Sequence, residues 1–152
     1  MSRIILIIFA ILVLSNCAYE PVLSKKKYDF KFEKISSDKE SKINKNIKNI
    51  LYDKSKTKSE NIYELNFSTE KNKEIVSSNE KGDPVIFKIY ISLNYTLKQN
   101  NKNLLIENID KQITYNSIDD KFELLKYEEN IINNLLDNIS NEILMSITNI
   151  LK

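Results

Sequence analysis

Histidine and tryptophan are absent from this chain of 152 residues, which holds one cysteine, one glycine and two prolines. Without histidine, the commonest general base and metal ligand is missing, and no Ser-His-Asp or Cys-His arrangement can form within the chain. A single glycine, Gly82, excludes the Gly-rich phosphate loops and dinucleotide turns, which need several. A single cysteine excludes internal disulfides and zinc clusters, so no metal centre and no cofactor is expected. Basic and acidic residues nearly cancel at 23 and 21, which leaves no cationic excess for nucleic acid. Carboxylate-only hydrolysis remains chemically conceivable. Its candidate pair, Glu128 and Glu129, occupies adjacent helix positions that do not face each other. No enzyme is expected.

What is present begins with Met1-Ser2-Arg3, a short positive leader, followed by an unbroken apolar run from Ile4 to Leu14. As a helix this run is about 17 Å long at roughly 1.5 Å per residue, well short of a bilayer core of about 30 Å. A charged start, a short apolar stretch and then small or polar residues describe a secretory signal peptide. The one thiol follows directly. Leu14-Ser15-Asn16-Cys17 resembles the lipobox of bacterial lipoproteins. In such proteins a diacylglycerol is attached to the cysteine sulfur, cleavage falls just before the cysteine (here between Asn16 and Cys17), and the new N-terminus is acylated. Thiol chemistry suits the first step, because thiolates are the good nucleophiles among side chains. Asn16 departs from the usual Gly, Ala or Ser before the cysteine. A secreted protein with a leftover cysteine and an uncleaved anchor are the alternatives. Three acyl chains make a firm tie, since each buried CH₂ contributes about 0.8 kcal/mol and one chain holds only marginally. Ala18, rather than Asp, follows the cysteine; by resemblance to Gram-negative sorting this implies the outer membrane, on its periplasmic side.

The expected organisation is a signal peptide over 1–16, a lipidated tether over 17–27 and one domain over 28–152. Within the tether, Lys25-Lys26-Lys27 reads as a solvated linker or as a contact for anionic headgroups. Tyr28, Phe30 and Phe32 alternate with charged residues, as in a half-buried strand. Ser37-Asp38-Lys39-Glu40 matches a capping box, and Ile43, Ile47, Ile50 and Leu51 recur at helical spacing, which predicts a helix over 38–52. Tyr63, Leu65 and Phe67 predict a second strand. The polar stretch from Thr69 to Asp83 predicts a mobile loop. A long third strand, Val85 to Lys98, places Phe87, Ile89, Ile91, Leu93, Tyr95 and Leu97 on one parity. Gln99 to Asn103 is a hairpin turn in which Asn tolerates positive φ.

A fourth strand covers Leu104 to Asn116. Its apolar parity, Leu105, Ile109, Ile113 and Tyr115, also contains Glu107 and Lys111, which implies a bulge or an overhanging edge. Asp119 or Asp120 caps a final helix reaching Leu151, with a stripe of Phe122, Leu125, Ile132, Leu136, Ile139, Ile143, Ile147 and Ile150. The third strand, about 46 Å at roughly 3.3 Å per residue, matches the last helix, about 48 Å at roughly 1.5 Å per residue. The expected fold is α+β, in the order β-α-β-β-β-α, a four-stranded mostly antiparallel sheet with two helices packed on one face. The opposite sheet face carries Lys88, Tyr90, Ser92, Asn94, Thr96, Asn108, Asp110, Gln112 and Thr114. It is too polar for a second core, so it is either plain surface or a dock for a wet, polar partner.

Three stretches together resemble the lipopolysaccharide-assembly lipoprotein family LptE, in its alphaproteobacterial form. Cys17-Ala18-Tyr19-Glu20-Pro21-Val22-Leu23 is similar to that family's start. VIFKIYISLNYTLKQNNKNLL, from Val85, is similar to its long third strand and hairpin. TYNSIDDKFELLKYEENIINNLLDNISNEILMSI is similar to its close, with Tyr115-Asn116 ahead of a helix bearing Glu128-Glu129 and a repeat at Leu135, Ile139 and Ile143. The similarity covers nearly the whole chain after Asn16, and each motif is loose. The resemblance implies a non-enzymatic role inside the lumen of the outer-membrane β-barrel LptD. There such proteins plug the barrel, assist its folding and help insert lipopolysaccharide into the outer leaflet. Because barrel lumens are polar, it also favours the docking reading of the polar face, and lysines that meet lipopolysaccharide phosphates. The alternative is an accessory lipoprotein of another envelope lipid-transport complex, holding lipid in an apolar cavity between helix and sheet.

Overall fold

The computed structural model describes residues 28–56 and 58–151. The expectations for the signal segment, for Asn16 and Cys17 and for the tether lysines therefore lie outside the described residues. The elements follow the order β1 (Lys31–Ser37), α1 (Lys42–Lys54), β2 (Ile62–Ser78), β3 (Pro84–Gln99), β4 (Lys102–Asn116) and α2 (Lys121–Ile150). The four strands form one sheet in the spatial order β1-β2-β3-β4. β1 runs parallel to β2 through the α1 crossover, and the other two pairings are antiparallel. This is the expected α+β arrangement.

Odd-numbered positions of the three long strands face the helices. Leu65 and Phe67 of β2, Ile89, Ile91, Leu93, Tyr95 and Leu97 of β3, and Ile109 and Tyr115 of β4 are all buried in one cluster. Ile47 and Leu51 of α1, and Leu136, Ile139, Ile143 and Ile147 of α2, close it from above. β1 keeps its apolar side inward only by breaking period. A register shift between Phe32 and Lys34 lets Phe30, Phe32 and Ile35 all be buried. The two helices are parallel neighbours. Lys42, Asn46 and Lys54 of α1 meet Glu129, Asn133 and Asp137 of α2 in the same direction.

Several expectations are corrected. The first helix starts later than the capping-box pattern implies: Ser41 is its N-cap, and its hydroxyl accepts from the Asn44 amide at 3.1 Å. The stretch from Thr69 is not a loop. β2 continues to Ser78, because β3 offers it backbone partners from Lys98 down to Pro84, and cross-strand hydrogen bonding outweighs weak strand propensity. Only Asn79 to Asp83 turns, with Gly82 at φ 87° and the Asn79 side chain accepting from the Lys81 and Asp83 amides at 2.9 Å each. The β3–β4 turn uses positive φ at Asn100 and Asn101, as expected.

Glu107 and Lys111 sit on no bulge, since the β3–β4 register runs unbroken from Leu105 to Asn116; the helices instead leave part of this edge uncovered, with Ile113 of the same parity 39% exposed. Both charged residues lie on the helix side with partners: Glu107 accepts from the Tyr95 hydroxyl at 2.5 Å, and Lys111 meets Glu142 of α2 at 2.5 Å.

The α2 stripe also shifts. Phe122 and Leu125 are 76% and 66% exposed, and Ile150 is 44% exposed, whereas Ile131, Leu135 and Leu144 are buried. The polar contacts between α1 and α2 begin at Glu129, so α1 leaves the first two turns of α2 uncovered. Asp120, rather than Asp119, caps α2, accepting from the Phe122 and Glu123 amides.

Candidate functional site

Side chains alternate across a strand, so burying the odd positions of β3 sends its even positions to the other face. The register aligns these in rungs. Ser36, Asn66, Thr96 and Ile106 cross all four strands; Ser68, Asn94 and Asn108 follow, then Glu70, Ser92 and Asp110, then Asn72, Tyr90 and Gln112, then Glu74, Lys88 and Thr114. Lys88, Tyr90, Ser92, Asn94, Thr96, Asn108, Asp110 and Gln112 thus stand together on one continuous face, as their parity implies. The sequence reading missed the contribution of β2, namely Asn66, Ser68, Glu70, Asn72 and Glu74. From Glu70 to Glu74 that strand is polar on both parities, and Ile75 and Val76 are adjacent, so no alternation signals it.

The middle of this face is flat and internally bonded. The Asn108 amide contacts Asn94 at 2.9 Å and Ser92 at 3.1 Å. Hydrogen bonds from Ser92 and then from Tyr90 hold the exposed Asp110 carboxyl below its usual range. Lys88 pairs with Glu74 across to β2. A shallow, open depression of about 400 Å³ runs past Asn66, Asn94, Thr96 and Ile106. Side chains that already partner one another lose little freedom when a second surface arrives, and their remaining donors and acceptors suit a hydrated contact. Ile106, 69% exposed, is the one large apolar side chain standing out of these rungs.

The carboxylates weighed for catalysis diverge. Glu128 is buried and meets Lys73 of β2 at 2.5 Å, while Glu129 reaches Lys42 of α1 at 2.5 Å. The Lys42 contact holds the exposed Glu129 carboxyl below its usual range. Among the described residues, no helix is long and apolar enough to cross a membrane.

No protein-family model and no curated protein matches the chain. Solved structures do match in fold. The rare lipoprotein B from Shewanella oneidensis superposes with a TM-score of 0.61 at 12% identity, over 78% of this chain and 94% of that one. An uncharacterized lipoprotein B from Nitrosomonas europaea gives 0.58 at 17% identity, over 78% and 83%. A minor lipoprotein from Acinetobacter baumannii gives 0.51 at 8% identity, over 78% and 92%. At these identities the likeness is one of fold, and it is shared with proteins named as lipoproteins.

Proposed function

We propose that this chain is a lipid-anchored envelope lipoprotein of the LptE type, tied to the outer membrane through Cys17 on the periplasmic side. Its polar sheet face docks within an LptD-like β-barrel, helps that barrel assemble and assists delivery of lipopolysaccharide. The role is one of binding, not catalysis. The observation that carries the reading is the broad hydrophilic face of β2, β3 and β4, backed by a closed apolar core on its other side. A barrel lumen is wet and polar, and a flat rack of amides, hydroxyls and paired charges matches it better than it would match an apolar surface. The lipobox-like Leu14-Ser15-Asn16-Cys17 and a fold shared with proteins named lipoprotein B support the envelope setting. A lipid carrier would instead need an apolar hollow under the helices, where Leu136, Ile139 and Ile143 are fully buried beside Ile91 and Leu93.

The test is a detergent pull-down of the tagged full chain from native membranes, with mass spectrometry of its companions. The reading expects a β-barrel of several hundred residues, and misassembly of that barrel on depletion. A chain recovered without lipid and without any barrel companion overturns it.

A further inference from the structure

β4 ends the sheet, and among the described residues nothing pairs with its outer edge. An edge strand offers a row of unpaired N–H and C=O groups. Proteins normally blunt such edges with bulges, proline or inward charges. Here the register from Leu105 to Asn116 has no bulge and no proline, and its two inward charges, Glu107 and Lys111, are opposite in sign; Lys111 meets Glu142 with one of its three N–H donors and keeps two. Ile106 and Ile113 are exposed along it. On the helix side the edge reads Leu105, Glu107, Ile109, Lys111, Ile113, a series that is complementary to its own reverse.

We propose that β4 pairs antiparallel with β4 of a second copy, about a two-fold axis at Ile109, joining two sheets into one continuous sheet. A two-fold interface is self-complementary, each residue meeting the image of its counterpart. Centred on Ile109, Glu107 faces Lys111 of the second copy, and this pair occurs twice. Leu105 faces Ile113, also twice, so an exposed isoleucine gains an apolar neighbour. On the polar side Asp110 faces Asn108, and no like charges are opposed. The Tyr95 hydroxyl occupies Oε2 of Glu107, which leaves Oε1 for the incoming lysine. Other centres are worse. An axis at Glu107 opposes two glutamates, one at Lys111 opposes two lysines, and one at Asn108 or Asp110 sets Glu107 against isoleucine. The helices of both copies stay on the same side, because such an axis runs perpendicular to the sheet. The pairing goes beyond the barrel reading and does not depend on it; it covers the edge when a copy meets another copy first.

Sedimentation equilibrium of the purified full chain in density-matched detergent tests this. The wild type is expected to show a reversible monomer–dimer equilibrium. Asn108 and Asp110 are exposed and outside the core, so charge changes there read the interface rather than folding, which circular dichroism monitors. Asn108→Lys sets a cation against Asp110 of the second copy at two places and is expected to tighten the dimer roughly three- to tenfold, and Asn108→Glu to loosen it by a similar factor. The double variant Asn108→Glu/Asp110→Lys reverses both signs and is expected to recover at least wild-type affinity. A monomer at every concentration, or a dimer whose affinity ignores these charges, overturns the proposal. A barrel companion in the pull-down leaves this result unaffected, so the two readings fail separately.

Discussion

Thr69 of β2 donates a 2.5 Å hydrogen bond to Asn44 of α1, and both side chains are closed to solvent. The same Asn44 side chain donates to the Lys39 carbonyl at 2.8 Å, so one amide ties the start of the helix, the chain before it and the sheet beneath. A buried polar group that loses its partner costs more than the bond contributes. Asn44→Ala is therefore expected to lower stability by about 2 kcal/mol, and Thr69→Val by about 1 kcal/mol, with the double variant costing less than the two combined. Urea unfolding checks this; two strictly additive, near-zero effects would rule out the tie.

Alkaline stability is expected to fall early. Burial first, and then the hydrogen bond to Glu107, raises the Tyr95 hydroxyl above its ordinary value of 10.0. Burial, and then the Glu128 carboxylate, does the same to Tyr115. A raised folded pKa contributes stability that is fully present below the unfolded value and is lost as pH climbs above it. Thermal stability should therefore fall above about pH 10, and Tyr95→Phe should flatten that decline. An unchanged slope in Tyr95→Phe would refute the assignment.

Two apolar residues of α2 should behave oppositely. Ile139 is fully buried and Phe122 is 76% exposed, although both belong to the same helical stripe. Ile139→Ala is expected to cost about 2–5 kcal/mol through lost burial and a cavity. Phe122→Ser should stay within about 0.5 kcal/mol. Chemical denaturation of each variant decides it, and comparable losses would contradict the packing.

The proposed docking face can be mapped by light. A photo-crosslinking residue at Asn94 or Gln112, both on the polar face, should give an adduct with the barrel in living cells. The same residue at Asn138, exposed on α2, should not. Adducts from Asn138 alone would move the interface to the helices.

Residue 17 makes the simplest expectation. Labelled palmitate should enter the wild type and not Cys17→Ala, and detergent phase partition should follow the label. Incorporation into both would place the acyl chain elsewhere.

How much of this was legible follows from which signals are local. The alternation of β3 and the apolar spacing of α1 and α2 survive in the structure, because a period of two or of about 3.6 is a property of each element alone. The distal half of β2 gave no such signal. Lys71, Lys73 and Glu74 look like a loop until β3 lies alongside to take their backbone hydrogen bonds. Glu107 and Lys111 stand out on an apolar parity and imply a bulge or an overhang, because their partners, Tyr95 and Glu142, lie on other elements. Parity alone collected the β3 and β4 members of the polar face; the β2 members needed the register.

The amino-acid sequence by itself determined the order of the elements, the inward side of β3 and the hydrophilic character of its reverse, because each is written in the spacing of apolar side chains along one segment. Only the tertiary structure decided where β2 ends, that Asn44 is buried, which end of α2 stays bare and that β4 lies at the sheet's edge. Those outcomes depend on what covers each element, and cover comes from residues distant in the chain.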